Sequence, residues 1–349
     1  MQMTPGPTAV PPRVRDRLSQ PMPNPDVEQE FVDRYDDVCA KLQRVYDTDD
    51  DVVVVGGEGI LGLEAAIAST VAPGDEVLCV SNGLYGDGFA EFVEQYGGEP
   101  TLVDADSGGP LDLAGVEAAL EAGAYELATM VHCETPTGCL NALDPVLERC
   151  ADHGVPTVVD AVSSLGGTPV PSEHVDVSLG ASQKAFSSPP GLTTVAVSDR
   201  AWELVERRDP QTLYTNLLPW RDTDERFPYT HLVANVAALD ESLSLLLEEG
   251  LESVYERHER AAAHCRERGA DLGLELYPDP ERSAPTVTAF HLPGEAAAVQ
   301  RELAEDHDVV LATGLGDLAD DILRVGHMGY NAEVEKVDRV MDALATVLS

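Results

Sequence analysis

Three pieces of this chain carry residues that could do chemistry. Lys184 sits in "LGASQKAFSSPPGL", a small, apolar and uncharged stretch, although the chain has three lysines in all, Lys41, Lys184 and Lys336, among its 22 basic residues. A lysine in an uncharged pocket has a depressed amine pKa and can attack a carbonyl, forming a Schiff base. Asp160 closes the apolar run "VPTVVD". A carboxylate at such a strand tip needs a cation or a donor, unless it simply caps the next helix. The third piece is "VVVVGGEGILG", Val52 to Gly62, a G-x-G-x-x-G between a strand-like valine run and a helix-like "LEAAIAS". It reads either as a dinucleotide fingerprint or as a helix start whose amides hold one phosphate monoester.

The dinucleotide reading wants an acid at the carboxyl end of the next strand, about 20 residues on. Asp75 and Glu76 stand at about that distance, but they precede the strand "VLCV", which ends at Ser81 and Asn82. The acid is at the wrong end. The competing reading then stands, in which amides at the start of the helix from about Glu58 to Thr70 bind one phosphate monoester. Pyridoxal phosphate suits Asp160, because that cofactor typically sets an acid against its protonated pyridine nitrogen.

These residues need elements to hold them. Seven short apolar runs, at 51–55, 75–80, 100–104, 126–132, 155–160, 175–181 and 192–197, alternate with alanine-rich and leucine-rich helical stretches. Such alternation predicts an α/β fold, with a mostly parallel seven-stranded sheet flanked by helices. Residues 232–269 carry helical periodicity broken at Gly250, and four further strand candidates with helices at 294–306 and 331–348 predict a small C-terminal α+β domain. The expected organisation is an N-terminal arm over 1–25, a large domain over 26–235, and a connector helix with the small domain over 236–349. The proline density of the arm predicts an extended segment with no helix.

The composition is strongly acidic, 63 Asp and Glu against 22 Lys and Arg, a net charge of −41. At molar salt the Debye length falls to roughly 3 Å and such self-repulsion is screened. A cytoplasmic protein of a halophile is expected, and nucleic-acid binding is not. No apolar run approaches the ~20 residues of a membrane span, and the N-terminus lacks the apolar core of a signal peptide. Six cysteines without a C-x-x-C pair read as free thiols, and "HCETPTGC" with His132 lacks the second cluster a metal site would need.

Taken together, "TPGPTAVPPRV", "GGEGILGLEAA", "NGLYGDGF", "HCETPTGCLN", "VVDAVSSLGGTPV", "SLGASQKAFSSPPG", "FPYTH" and "DILRVGHMG" resemble the class V, fold-type I pyridoxal-phosphate aminotransferases, with the nearest likeness to alanine:glyoxylate and serine:pyruvate enzymes. The resemblance implies that Lys184 carries the cofactor, that Asp160 partners the pyridine nitrogen and that Val162 packs against the ring. It places Gln183 and the amides of Glu58, Gly59 and Ile60 on the phosphate, Thr135 on the ring hydroxyl and Tyr85 on the ring face. It also implies that Thr230 reaches the phosphate of a neighbouring subunit, hence a homodimer with shared active sites. Arg324 would grip the substrate carboxylate in a bidentate fork, with a salt bridge to Asp320 and Asp321 as the alternative. Gly6 would offer that carboxylate a backbone contact.

The implied activity is amino transfer between a small amino acid (alanine, serine or glycine) and glyoxylate or pyruvate. Other readings stay open: a transaminase for 2-aminoethylphosphonate or aspartate, a cysteine desulfurase, a nicotinamide-dependent dehydrogenase, or a binding protein without catalysis. The chain departs from the family at three places. Glu58 replaces a small hydroxyl residue, tyrosine stands where tryptophan commonly stacks, and Phe227 replaces a tyrosine. A carboxylate beside a dianionic phosphate repels it, so Glu58 is expected to turn outward and leave only its amide in the cup.

Overall fold

The computed structural model describes residues 1–223 and 226–349. The seven apolar runs become the strands β1 (Asp51–Gly56), β2 (Glu76–Ser81), β3 (Glu99–Asp104), β4 (Leu127–Val131), β7 (Thr157–Asp160), β8 (Val177–Ala181) and β9 (Leu192–Val197) of one sheet. A short hairpin, β5 (Cys133–Glu134) and β6 (Cys139–Leu140), which the sequence pattern does not announce, lies between β4 and β7. The strand order is β1-β9-β8-β7-β4-β2-β3. Neighbours from β8 through β7, β4 and β2 to β3 are parallel, and β9 runs antiparallel to both β8 and β1. Every residue of β4, β7, β8 and β9 is buried. That explains why these strands read as continuous apolar runs and not as alternating ones.

The helices α2 (Gln29–Tyr46), α3 (Gly59–Thr70), α4 (Leu84–Gln95), α5 (Leu113–Ala122), α6 (Asp144–Asp152) and α7 (Asp199–Arg208) belong to this part of the chain. The connector is two helices, α8 (Val233–Glu249) and α9 (Leu251–Asp271), separated at Gly250, whose φ of 87° suits glycine. Beyond it, β10 (Glu275–Leu276), β11 (Thr288–His291), β12 (Ala312–Thr313) and β13 (Ile322–Val325) form an antiparallel sheet in the order β10-β11-β13-β12. Helices α10 (Ala296–His307) and α11 (Val334–Val347) complete a second core around Phe290, Leu323, Val325 and Leu344.

The opening segment is not extended throughout. Residues Pro12–Leu18 form a helix, α1, packed on α8. The expectation of a helix-free arm fails because Pro12 stands in the first turn, where its missing N–H costs nothing, and "RVRDRL" beyond it holds no proline. Ahead of α1 the chain is tied down at several points. Met3 is buried in the second core, its amide donates to Val310 O at 2.9 Å and its carbonyl accepts from Gly326 N at 2.7 Å. Thr8 N then donates to Gln183 O at 3.0 Å, which lays residues 5–8 across the carboxyl edge of the large sheet.

Candidate active site

At that edge a cavity of about 250 Å³ opens among the turns after β1, β2, β7 and β8. Ligands of parallel α/β sheets bind at this position because the turns and helix N-termini converge there. The β1 turn contributes Glu58, Gly59 and Ile60, and the first turn of α4 contributes Tyr85. Asp160 closes β7, followed by Val162 and Ser163, and the turn after β8 brings Gln183 and Lys184. Gly6 and Pro7 of the arm, with Leu63 and Pro190, complete the wall.

Lys184 is surrounded. Its Nζ donates to Pro5 O at 2.9 Å, and burial, with Arg324 as the second cause and Asp160 opposing, lowers its amine to about 8. The other two lysines behave differently: Lys41 pairs with Asp240, and Lys336 pairs with Glu333 at 3.3 Å. Lys184, kept in uncharged surroundings, is thus the lysine that lines the cavity. Gly6 has a φ of 99°, and a Cβ there would stand 2.6 Å from Lys184 Cδ and 2.9 Å from Nζ. Only glycine lets the arm come this close.

Asp160 is 5% exposed. Burial raises its carboxyl to about 6, against the amide of Val162, which donates to Oδ1 at 2.8 Å, and the charge of Lys184. Its other oxygen is left for a donor from the cavity side.

Tyr85 is held by a residue that sequence reasoning passed over. Glu134 is fully buried in the short hairpin and accepts from Gly86 N at 2.8 Å and Tyr85 N at 3.3 Å, capping α4 from outside the helix. Burial lifts its carboxyl to about 7, with those two amides opposing. A Cβ on Gly83 would lie 2.8 Å from the Glu134 carboxyl carbon, so glycine there admits the cap. The only trace in the sequence is an acid inside "HCETPTG", whose partner is 48 residues away.

Glu58 does not turn outward. Its side chain accepts from Ile60 N at 3.3 Å and from Gln183 Nε2 at 3.1 Å, so it engages two of the groups expected to hold phosphate. The reason is local: Glu58 is the N-cap of α3, where exposed amides and the helix dipole attract an anion. Gln183 Oε1 is buried with no partner among the described residues.

The remaining expected residues stand outside the cavity wall. Thr135 Oγ1 shares a short hydrogen bond with Ser163 Oγ, and it is Ser163 that reaches the cavity. Arg324, on β13 and 6% exposed, donates from Nε to Thr313 O at 2.7 Å and from Nη1 to Thr135 O at 3.3 Å. Its alternative salt bridge is not formed, since Asp320 and Asp321 accept from Ala297 N and Gly294 N. Thr230 is exposed and donates to Asp26 Oδ2 at 3.0 Å, away from the cavity of its own chain. Phe227 is buried among Phe31, Tyr35 and Trp220. His132 bonds Ser164 Oγ at 2.9 Å, and the six cysteines are free.

Known proteins resemble this chain in sequence and fold. The family description "Aminotransferase class-V" matches residues 5–340. An uncharacterized aminotransferase of Methanocaldococcus jannaschii is 34% identical over 95% of this chain and 89% of its own. Among solved structures, alanine–glyoxylate aminotransferase of Nostoc sp. superposes with a TM-score of 0.95 at 31% identity, covering 100% of this chain and 95% of that one. Pyridoxamine–pyruvate aminotransferase of Mesorhizobium loti does so with a TM-score of 0.94 at 30% identity, covering 99% and 91%. The chain belongs to the class V aminotransferases. It has the fold-type I architecture, it is a transferase, and its cofactor is pyridoxal 5′-phosphate.

The cavity fits that cofactor's ring. An acid already aimed inward at Asp160, an amine at Lys184 and the side chains of Val162 and Tyr85 form the chemical set a pyridine aldehyde needs. At the cup the fit is conditional, because Ile60 N and Gln183 Nε2 become available only when Glu58 releases them.

Proposed function

We propose that the enzyme transfers the amino group of a small amino acid, alanine, serine or glycine, to glyoxylate or pyruvate. The observation that carries this reading is Lys184 Nζ in a cavity of only about 250 Å³ roofed by Gly6 and Pro7, which leaves little room for a large substrate side chain. Bound pyridoxal phosphate supplies an electron sink for the carbanion left when an α-proton departs. Lys184 would hold the cofactor at rest and, once displaced, remove and return the substrate α-proton at Nζ, a task suited to an amine lowered to about 8. Asp160 would keep a proton on the ring nitrogen through the oxygen that Val162 leaves free.

Val162 and Tyr85 would orient the ring, with Glu134 fixing Tyr85 through the helix cap. Arg324 would bind the substrate carboxylate, and Gly6 would add a backbone contact and exclude water. Thr135, paired with Ser163, would sit toward the ring hydroxyl. The exposed Thr230 supports a homodimer in which it enters the partner's cup, and the acidic composition supports a cytoplasmic setting rich in salt. Keto-acid formation from a panel of donors and acceptors in molar salt tests the assignment. Activity confined to aromatic amino acids or aminophosphonates would refute it.

A second reading takes pyridoxamine as the amino donor and pyruvate as the acceptor, as the name of the Mesorhizobium loti relative states for that protein. The inward Glu58 favours it.

A further inference from the structure

We propose that Glu58 is a resident anion of the cup, that it loosens the grip on a 5′-phosphate, and that it lets pyridoxal and pyridoxamine, which carry a hydroxymethyl group there, enter the same seat as exchangeable ligands. The inference rests on reading the cavity as a pyridine seat.

The N-terminus of α3 is a ready anion site, and in this chain the anion is built in. The carboxylate of Glu58 accepts from the amide of Ile60 and the side-chain amide of Gln183. The bond to Glu58 also fixes which end of the Gln183 side chain is nitrogen. Gln183 Oε1 is thereby left as a buried acceptor without a donor among the described residues. The cup thus presents a charged acceptor, the Glu58 carboxylate. A phosphate dianion brings acceptors to acceptors and a like charge to Glu58. A hydroxymethyl group brings an O–H donor, which the Glu58 carboxylate can receive, and such a bond to a carboxylate is of the stronger, charge-assisted kind.

The rest of the wall does not offset the repulsion. Of the described residues lining the cavity Lys184 alone is basic, and in this reading it is committed to the aldehyde end of the ring. A phosphate-bearing ring must therefore displace Glu58 from both donors and then lie beside it. Glu58 is an exposed residue, so solvent can receive its displaced carboxylate, and the displacement weakens binding without abolishing it. The expected penalty is on the order of 10- to 100-fold in affinity.

The test is an equilibrium titration of the full chain, dialysed free of vitamer, with pyridoxal and separately with pyridoxal 5′-phosphate, read by absorbance, for the wild type, Glu58→Ser and Glu58→Gln. The expected result is wild-type affinity for pyridoxal at least equal to that for the phosphorylated form. Glu58→Ser should tighten the phosphorylated form by roughly 10- to 100-fold while pyridoxal binds no more tightly. Glu58→Gln, which removes the charge and keeps the size, should recover part of that gain. Inorganic phosphate should compete with ring binding in Glu58→Ser and not in the wild type. A wild type that prefers the phosphorylated form tenfold or more, with affinities unchanged in both variants, overturns the role of Glu58 and leaves the aminotransferase reading standing. Failure of the wild type and both variants to bind either ring overturns the pyridine seat itself.

Discussion

Gly6→Ala is a small change with a large expected effect, because two costs fall on the same atom. The backbone at Gly6 has a φ of 99°, a region that costs an L-residue roughly 1–2 kcal/mol. The new methyl would also stand 2.6–2.9 Å from Lys184 Cδ, Cε and Nζ. Relieving such crowding in a packed site costs about 1–3 kcal/mol more. The sum, about 2–5 kcal/mol, is relieved either by lifting the arm or by moving the Lys184 amine, and each route spoils the site. At tenfold per 1.36 kcal/mol, kcat/KM should fall by at least about 30-fold. Gly74→Ala is the control, since Gly74 has a φ of 88° but nothing within 4 Å of a Cβ. It carries the strain without the crowding and should lower the melting temperature slightly while leaving kcat/KM intact. Steady-state kinetics on both variants, with circular dichroism as a check on folding, decide the matter. Wild-type activity in Gly6→Ala, or equal losses in the two variants, would refute the close approach of arm and lysine.

Other expectations follow from charge and placement. Because burial lowers the Lys184 amine to about 8, its neutral, proton-accepting form grows as pH rises through that value. The rate of the proton-removal step should therefore increase from pH 6.5 to 9, and a rate falling over that range would contradict its role as base. With a net charge of −41, thermal stability should rise from 0.1 M to 2 M NaCl, read by calorimetry; a melting temperature insensitive to salt would contradict the screening argument. If Thr230 serves the partner's cup, refolding a mixture of Thr230→Asp and Lys184→Ala chains should restore activity that neither has alone. No recovery, with mixed dimers demonstrated by mass spectrometry, would place Thr230 outside the site.

Much of this arrangement was legible because the governing forces are local or compositional. Strands buried on both faces must be continuously apolar, so "DVVVV" and "LTTVAV" announced themselves. Lys184 stood out because an acidic chain with few lysines kept one in uncharged surroundings. The misplaced acid before β2 correctly turned the glycine motif away from a dinucleotide. The arm was misjudged at α1 because proline was counted by density, when its position in the first turn mattered. Glu58 was expected to point outward on the premise that phosphate occupies the cup. The N-terminus of α3 needs an anion, and the nearest carboxylate supplies one. Glu134 was illegible because its meaning depends on a two-residue strand meeting a helix start far away in sequence, and neither Thr135 nor Ser163 reveals from spelling which of the pair faces the cavity.

The most direct test of the central claim is to load the full chain with pyridoxal 5′-phosphate, reduce it with borohydride and map the modified peptide. The account expects one adduct, on Lys184, and loss of the cofactor's visible absorbance in Lys184→Ala. An adduct on Lys41 or Lys336, or undiminished absorbance in Lys184→Ala, would contradict it.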